Sequence, residues 1–300
     1  MLGTLLGMRP LGYAAHGTRH GDRGWHAGRF PVGQSMELTM SDLTDQAELR
    51  PFVAPCRTVP ATAPLRWLRM GWRDVVAAPV QSLGLGTCIA LLSAVVTAIA
   101  WRYGTGWLVL AMISGFIFVA PVLATGLYAI SAALEQGLRP SALTVMATSS
   151  RVVGDVLVYT LILMVICLIW IRAGSAVEIF FPQDSTAAAG ELLTFLLIGT
   201  TVGSCFAVAT FAASAFSLPM LVDRKTDAVT AVVTSVHAVL RNWRAMIVWS
   251  LLIAASVAIG FATALIGLAV TMPLIGHATW HAYRETIDSD EWPLRERAAP

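Results

Sequence analysis

The chain has 300 residues, 56% of them hydrophobic and only 13% charged, with a mean hydropathy of +0.70. A soluble domain carries about 25% charged residues, so this composition excludes an ordinary soluble enzyme and indicates a multi-span, all-α membrane protein. A net charge of +2 gives nucleic acid no electrostatic hold. The four cysteines, Cys56, Cys88, Cys167 and Cys205, show no spacing that would make a disulfide framework or a metal site.

Residues 1–35 are rich in Gly, Arg and His and have neither helical nor strand period. They read as a disordered tail, or as a start placed too far upstream, with translation beginning at Met36. Residues 36–63 are polar and punctuated by proline, as in a cytoplasmic tail. The membrane domain is expected over 64–283. It opens with a short amphipathic helix, Pro64 to Ala78. Leu65, Leu68, Trp72, Val75 and Val76 form one face, and Arg66, Arg69 and Arg73 form another. Such a helix suits a membrane interface with its arginines near anionic headgroups, or packing on a protein partner.

A bilayer core of about 30 Å needs about 20 apolar residues as helix. The runs that fit are 82–101, 107–130, 152–171 and 191–218. A last run, Ala245 to Trp280, has no Asp, Glu, Lys or Arg over 36 residues. It is divided near Gly260–Thr263 into spans 245–261 and 264–281, followed by a C-terminal tail over 284–300. Ser256, Gly260 and Ala264 have small-xxx-small spacing, which points instead to close helix contact there. Thirteen basic residues fall on one side of these spans and only Arg102 and Arg172 on the other. That bias predicts six spans with both termini cytoplasmic.

The stretch from Phe216 to Arg244 organises the rest. It ends a span, breaks at Pro219, and shows the charge cluster Asp223, Arg224, Lys225 and Asp227. It continues as an amphipathic helix with Val229, Val232, Val233, Val236, Val239 and Trp243 on one face and Thr230, Thr234, His237 and Arg241 on the other. A looser version occurs three times: a surface helix (64–78, 140–151, 226–243), a span, then a span bearing a proline (Pro121, Pro219, Pro273). Pro frees a backbone carbonyl and bends a span. The segments GWRDVVAAP, SGFIFVAPVLATGLYAIS, FSLPMLVDRKTDAVTA and GLAVTMPLIGHATWHAYRE resemble a family of bacterial integral membrane proteins of the domain-of-unknown-function type. The resemblance covers about residues 57–287. It implies a six-span inner-membrane protein and no particular activity.

Candidate sites are few. His277 and His281 stand at i, i+4 on one helix face, a spacing that can chelate a metal. Ala278 stands where the zincin motif has glutamate, and a third ligand would have to come from His237, Asp223 or Glu285. Arg66, Arg69, Arg73, Arg224, Lys225 and Arg241 are expected at the membrane surface. Gly199, Gly203 and Ala207 form a stripe suited to helix packing. Thr194, Thr200, Thr201, Ser204, Thr210 and Ser214 on the same span would line a path for a neutral solute, or cement packing. No phosphate-binding Gly loop, nucleophile elbow or CxxC is present, and no cofactor is expected. Three readings follow. The first is a non-enzymatic scaffold or assembly protein that interacts with lipid, a membrane-protein complex or a second copy of itself. The second is a transporter or channel for a neutral small solute, and the third is metal handling at His277 and His281.

Overall fold

The computed structural model describes residues 52–180 and 189–295, which belong to one compact unit, Leu49–Pro300. Residues 1–35, and the polar tail as far as Pro51, lie outside the described residues. Among the described residues the chain forms nine α-helices and no strand. They are α1 (Ala63–Ala77), α2 (Pro79–Tyr103), α3 (Gly106–Glu135), α4 (Ala142–Phe180), α5 (Ala189–Ser214), α6 (Ser217–Asp223), α7 (Ala228–Arg241), α8 (Trp243–Ala262) and α9 (Leu268–Thr286). Five stretches are long and apolar enough to cross a membrane: α2, α3 from Ile117, α4 as far as Ala176, α5 continued through α6, and α8. They are an all-α integral membrane architecture, and their outer faces carry exposed leucine and valine such as Leu91, Leu161, Leu197 and Leu251.

Local chemistry sets the breaks. Pro79 disfavours α geometry at the residue before it, so α1 ends at a bend where Ala78 has φ −133° and ψ 62°. Gly137, at φ +71°, ends α3, a left-handed position that glycine fills without strain. The α5–α6 break at Ala215–Phe216 is held by α7: the Phe216 N–H donates to Ser235 Oγ at 3.0 Å, and Ser235 donates to Ala212 O at 2.7 Å. Asp227 caps α7 by accepting from the N–H groups of Val229 and Thr230, both at 2.9 Å. Asn242 separates α7 from α8 while accepting from Val59 N–H at 2.8 Å and donating to Arg57 O at 3.0 Å.

Helix α9 is the packing centre. It lies against α1 along its second half and against α2 along its first. Both approaches need glycine: a Cβ on Gly71 would sit 2.7 Å from Ala278 N, and one on Gly86 would sit 2.1 Å from Ala269 O. Ala269 O is the carbonyl that Pro273, having no N–H, leaves without its helical donor. The main core gathers Trp67, Trp249, Trp280, Tyr283, Phe216 and Met220. Trp67 and Trp249 meet edge to face at 5.7 Å and 88°.

Of the apolar face expected on α1, Leu65, Trp72 and Val76 are turned outward and Val75 is buried, while Trp67 and Gly71 pack inward. Three expectations are corrected. The proposed surface helix at 140–151 is instead the first part of one long helix, α4, because no Gly or Pro interrupts it before the span. In α7 the buried residues Thr230, Ala231, Thr234, Ser235 and Ala238 include much of the hydroxyl face, while of the valine face Val239 is buried, Val232 and Val236 are half-buried and Val229 is exposed. Its small hydroxyl residues are buried because they satisfy backbone groups, Thr234 Oγ1 accepting from Ala54 N–H at 3.2 Å. Pro219 lies in the separate short helix α6, whereas Pro121 and Pro273 lie inside α3 and α9.

The two ends of the described chain are stitched together. The Arg57 N–H donates to Thr286 O at 2.7 Å and the Asp288 N–H to Pro55 O at 2.8 Å. Residues 55–57 and 286–288 therefore lie on the same side of the membrane, and the chain between them crosses an even number of times.

Candidate functional site

Two buried polar clusters lie on that terminal side. The first joins α1, α2, α3 and α9. His277, fully buried, has Ser82 Oγ 2.9 Å from Nε2 and Ser131 Oγ 2.7 Å from Nδ1. Ser131 donates to Asp74 Oδ2 at 2.7 Å, and the same oxygen is 2.9 Å from His281 Nε2. The bonding fixes the protons. Ser131 has one hydroxyl hydrogen, spent on Asp74, so it accepts from Nδ1–H. Nε2 is then bare and accepts from Ser82. The two imidazoles thus belong to one line, Ser82–His277–Ser131–Asp74–His281, and do not converge on a shared ion. Among the described residues no three His, Cys, Asp or Glu side chains are placed to hold a metal. The would-be third ligands are elsewhere: Glu285 accepts from Arg66 and from Trp67 Nε1, Asp223 belongs to the second cluster, and His237 is exposed. Chemically the line contains a serine polarised by a histidine, but Ser82 is fully buried against α9.

The second cluster joins α3, α4, α6 and α9 to residues 287–295. Asp223 accepts from Arg224 Nε at 2.9 Å and from Tyr283 Oη at 3.0 Å. Arg224 also reaches Trp292 O and Asp290, and Arg284 pairs with Glu135 at 3.1 Å. Arg295 pairs with Asp155 at 2.6 Å. Burial works against the Arg224 charge, but Asp223 beside it, together with Tyr283 and Asp290, more than offsets this and holds its pKa above the usual value. Burial, and then Asp223, push the Tyr283 phenol up, so it remains a donor.

The surface cations sort themselves accordingly. Arg224 is buried and is no membrane-surface residue, because the Asp223 before it and Asp290 neutralise it. Arg66 is paired with Glu285. Arg69, Arg73, Lys225 and Arg241 are exposed. The pairing of Asp223, Arg224 and Tyr283 escapes sequence reading, since the partners are 60 residues apart; only the charge cluster beside Pro219 marked the place.

Two of the cavities among the described helices flank Pro121. One, of about 310 Å³, is lined by Ile89, Leu127, Tyr128, Met272 and Gly276. The other, of about 630 Å³, lies among α3, α4 and α5 and is almost wholly apolar, with Pro121, Trp170, Gly203, Ala207, Thr210 and Ser214 in its wall. Nothing stands within 4 Å of a Cβ placed on Gly199 or Gly203. Together with Ala207 these glycines line open grooves and make no close helix contact within the chain. Of the span's six hydroxyl residues only Thr210 and Ser214 reach the larger cavity. Thr194 and Thr201 are exposed and donate to their own helix, to Gly190 O and Leu197 O.

No curated protein and no solved structure matches the chain. A family model does match, over residues 108–223, a stretch narrower than the motif resemblance and one that takes in α3 to α6 with Pro121 and Pro219. From Leu108 to Asp223 the chain is thus similar to the DUF2189 family, described as a predicted integral membrane protein.

Proposed function

We propose that this is a non-enzymatic scaffold or assembly protein of the bacterial inner membrane, with its termini in the cytoplasm, whose cytoplasmic face binds anionic lipid headgroups through α1. The observation that carries the reading is the outward face of α1. Leu65, Trp72 and Val76 are 58%, 50% and 62% exposed beside the exposed Arg69 and Arg73, although the opposite face of the helix is sealed on α9. Large apolar side chains next to arginine suit the boundary between acyl chains and headgroups, where each arginine contributes about 1 kcal/mol toward anionic lipid. The burial of Ser82 and the internal pairing of both polar clusters support a structural rather than a catalytic use of those residues. The test is the phospholipid that copurifies in mild detergent. Wild-type protein is expected to retain anionic over zwitterionic lipid, and an Arg69→Gln/Arg73→Gln variant to lose at least half of that enrichment. Equal enrichment in both would overturn the reading. A carrier of a neutral solute is a second reading, favoured by the cavity of about 630 Å³; its apolar wall suits a hydrophobic solute, and flux into proteoliposomes tests it.

A further inference from the structure

We infer that the α8–α9 hairpin is re-entrant: it enters the bilayer from the side of the termini, and its tip, residues 263–267, ends among the acyl chains without reaching the distal aqueous face. Three independent observations carry this.

The first is depth. Ser82, Ser131 and His277 are hydrogen-bonded to one another and mark one level on α2, α3 and α9. At 1.5 Å per residue, α2 continues about 32 Å past that level to Tyr103 and α3 about 38 Å to Gly106, but α9 reaches only about 14 Å to Leu268. The partner helix agrees. Trp249 of α8 packs on Trp67, whose indole donates to Glu285. From there α8 has only about 20 Å left before Ala262. Both arms fall well short of a hydrocarbon core of about 30 Å measured from the same landmarks.

The second is hydrogen bonding. Every backbone N–H from Thr263 to Ala269 donates inside the hairpin: Thr263 to Ile259 O, Ala264 to Phe261 O, Leu265 to Gly260 O, Ile266 to Thr263 O, Gly267 to Thr263 Oγ1, Leu268 to Leu265 O and Ala269 to Ile266 O. A turn in water has no need of this; a turn in hydrocarbon does. To achieve it Ala264 and Leu265 take φ of +52° and +70°, left-handed positions that cost energy for residues with a Cβ.

The third is the side chains. The tip reads Phe261-Ala-Thr-Ala-Leu-Ile-Gly267, with Phe261 64% and Ile266 76% exposed. The Thr263 hydroxyl is turned inward to Ile259 O and Gly260 O. Gly260 and Gly267 let the arms close: a Cβ on Gly260 would sit 2.2 Å from Leu268 Cδ2. The hairpin would then leave four full crossings, α2, α3, α4 and α5–α6, an even number that keeps the stitched ends on one side.

The experiment is thiol labelling in sealed membranes. The four native cysteines are replaced by alanine, and single cysteines are placed at the tip (Ala264→Cys, and separately Ile266→Cys), at the distal α2–α3 connection (Gly104→Cys) and on the terminal side (Arg69→Cys). A membrane-impermeant maleimide is applied from each side, and the total thiol is read after unfolding in SDS. Gly104→Cys is expected to label from one side and Arg69→Cys from the other. Both tip cysteines should label at least tenfold more slowly than Gly104→Cys from either side, yet fully in SDS. A tip cysteine that labels within tenfold of Gly104→Cys from the distal side would overturn the proposal and make α8 and α9 two complete spans.

Discussion

Ser131 joins α1, α3 and α9 through a single hydroxyl, which among the described residues is hydrogen-bonded to both Asp74 and His277. Ser131→Ala would remove one acceptor from a fully buried imidazole N–H and a donor from Asp74, which should destabilise the protein by about 1–3 kcal/mol. A lower thermal midpoint in detergent, set beside an unchanged midpoint for the exposed Thr194→Ala, would show it. Cys56 makes a second residue-level case. Burial pushes its thiol up to about 11, with the Arg241 charge acting the other way. A folded pKa above the unfolded one means that stability is fully present below about pH 8.5, the ordinary thiol value, and falls as pH rises toward the folded value, because the unfolded state gives up the proton first. The thermal midpoint should therefore decline between about pH 9 and 11, and less steeply in Cys56→Ala. Neither role was legible in the sequence, where Cys56 is an isolated thiol and Ser131 one serine in an apolar run.

At the scale of helices, two kinds of glycine look alike in sequence and differ in structure. Gly71 sits where a Cβ would be 2.7 Å from Ala278 N and 2.8 Å from Leu274 O, both rigid backbone; at Gly203 nothing stands within 4 Å. Gly71→Ala should force α1 off α9 and cost about 1–3 kcal/mol, whereas Gly203→Ala should leave the thermal midpoint unchanged or slightly raised, since alanine is the better helix former. Small-xxx-small spacing drew attention to Gly203 and passed over Gly71, because periodicity reports that a face is small and says nothing about whether a neighbour is there. The same limit explains α7. Spacing separated a valine face from a hydroxyl face, but much of the hydroxyl face is buried, because Ser235 accepts from Phe216 N–H at the α5–α6 break and Thr234 accepts from Ala54 N–H. The cap of α7 was within reach, since Asp227 stands where an acidic residue precedes a helical period. Asp227→Ala should cost about 1 kcal/mol, read as a lower thermal midpoint.

For the whole molecule, the all-α membrane architecture was legible because it follows from composition and run length, the two properties that a bilayer reads most directly. The depth of the last hairpin was not, because 36 uncharged residues are compatible with two short crossings or with one deep loop, and only the bond between Ser82 and His277 relates their level to that of α2. Sidedness falls between these cases. The backbone bonds between residues 55–57 and 286–288 place both ends on one side whatever the depth of the hairpin. The thirteen-to-two distribution of basic residues is the ground on which that side is proposed to be the cytoplasm. These are separate arguments, one from hydrogen bonds and one from charge, and a pair of reporters tests them separately. Green fluorescent protein fused at either end should fluoresce, and alkaline phosphatase fused after Pro300 should be inactive but active when fused after Gly104. Two ends reporting opposite compartments would break the hydrogen-bond argument. Two ends agreeing on the periplasm would leave the fold intact and break only the charge argument, moving Arg69 and Arg73 away from the anionic leaflet on which the proposed lipid contact depends.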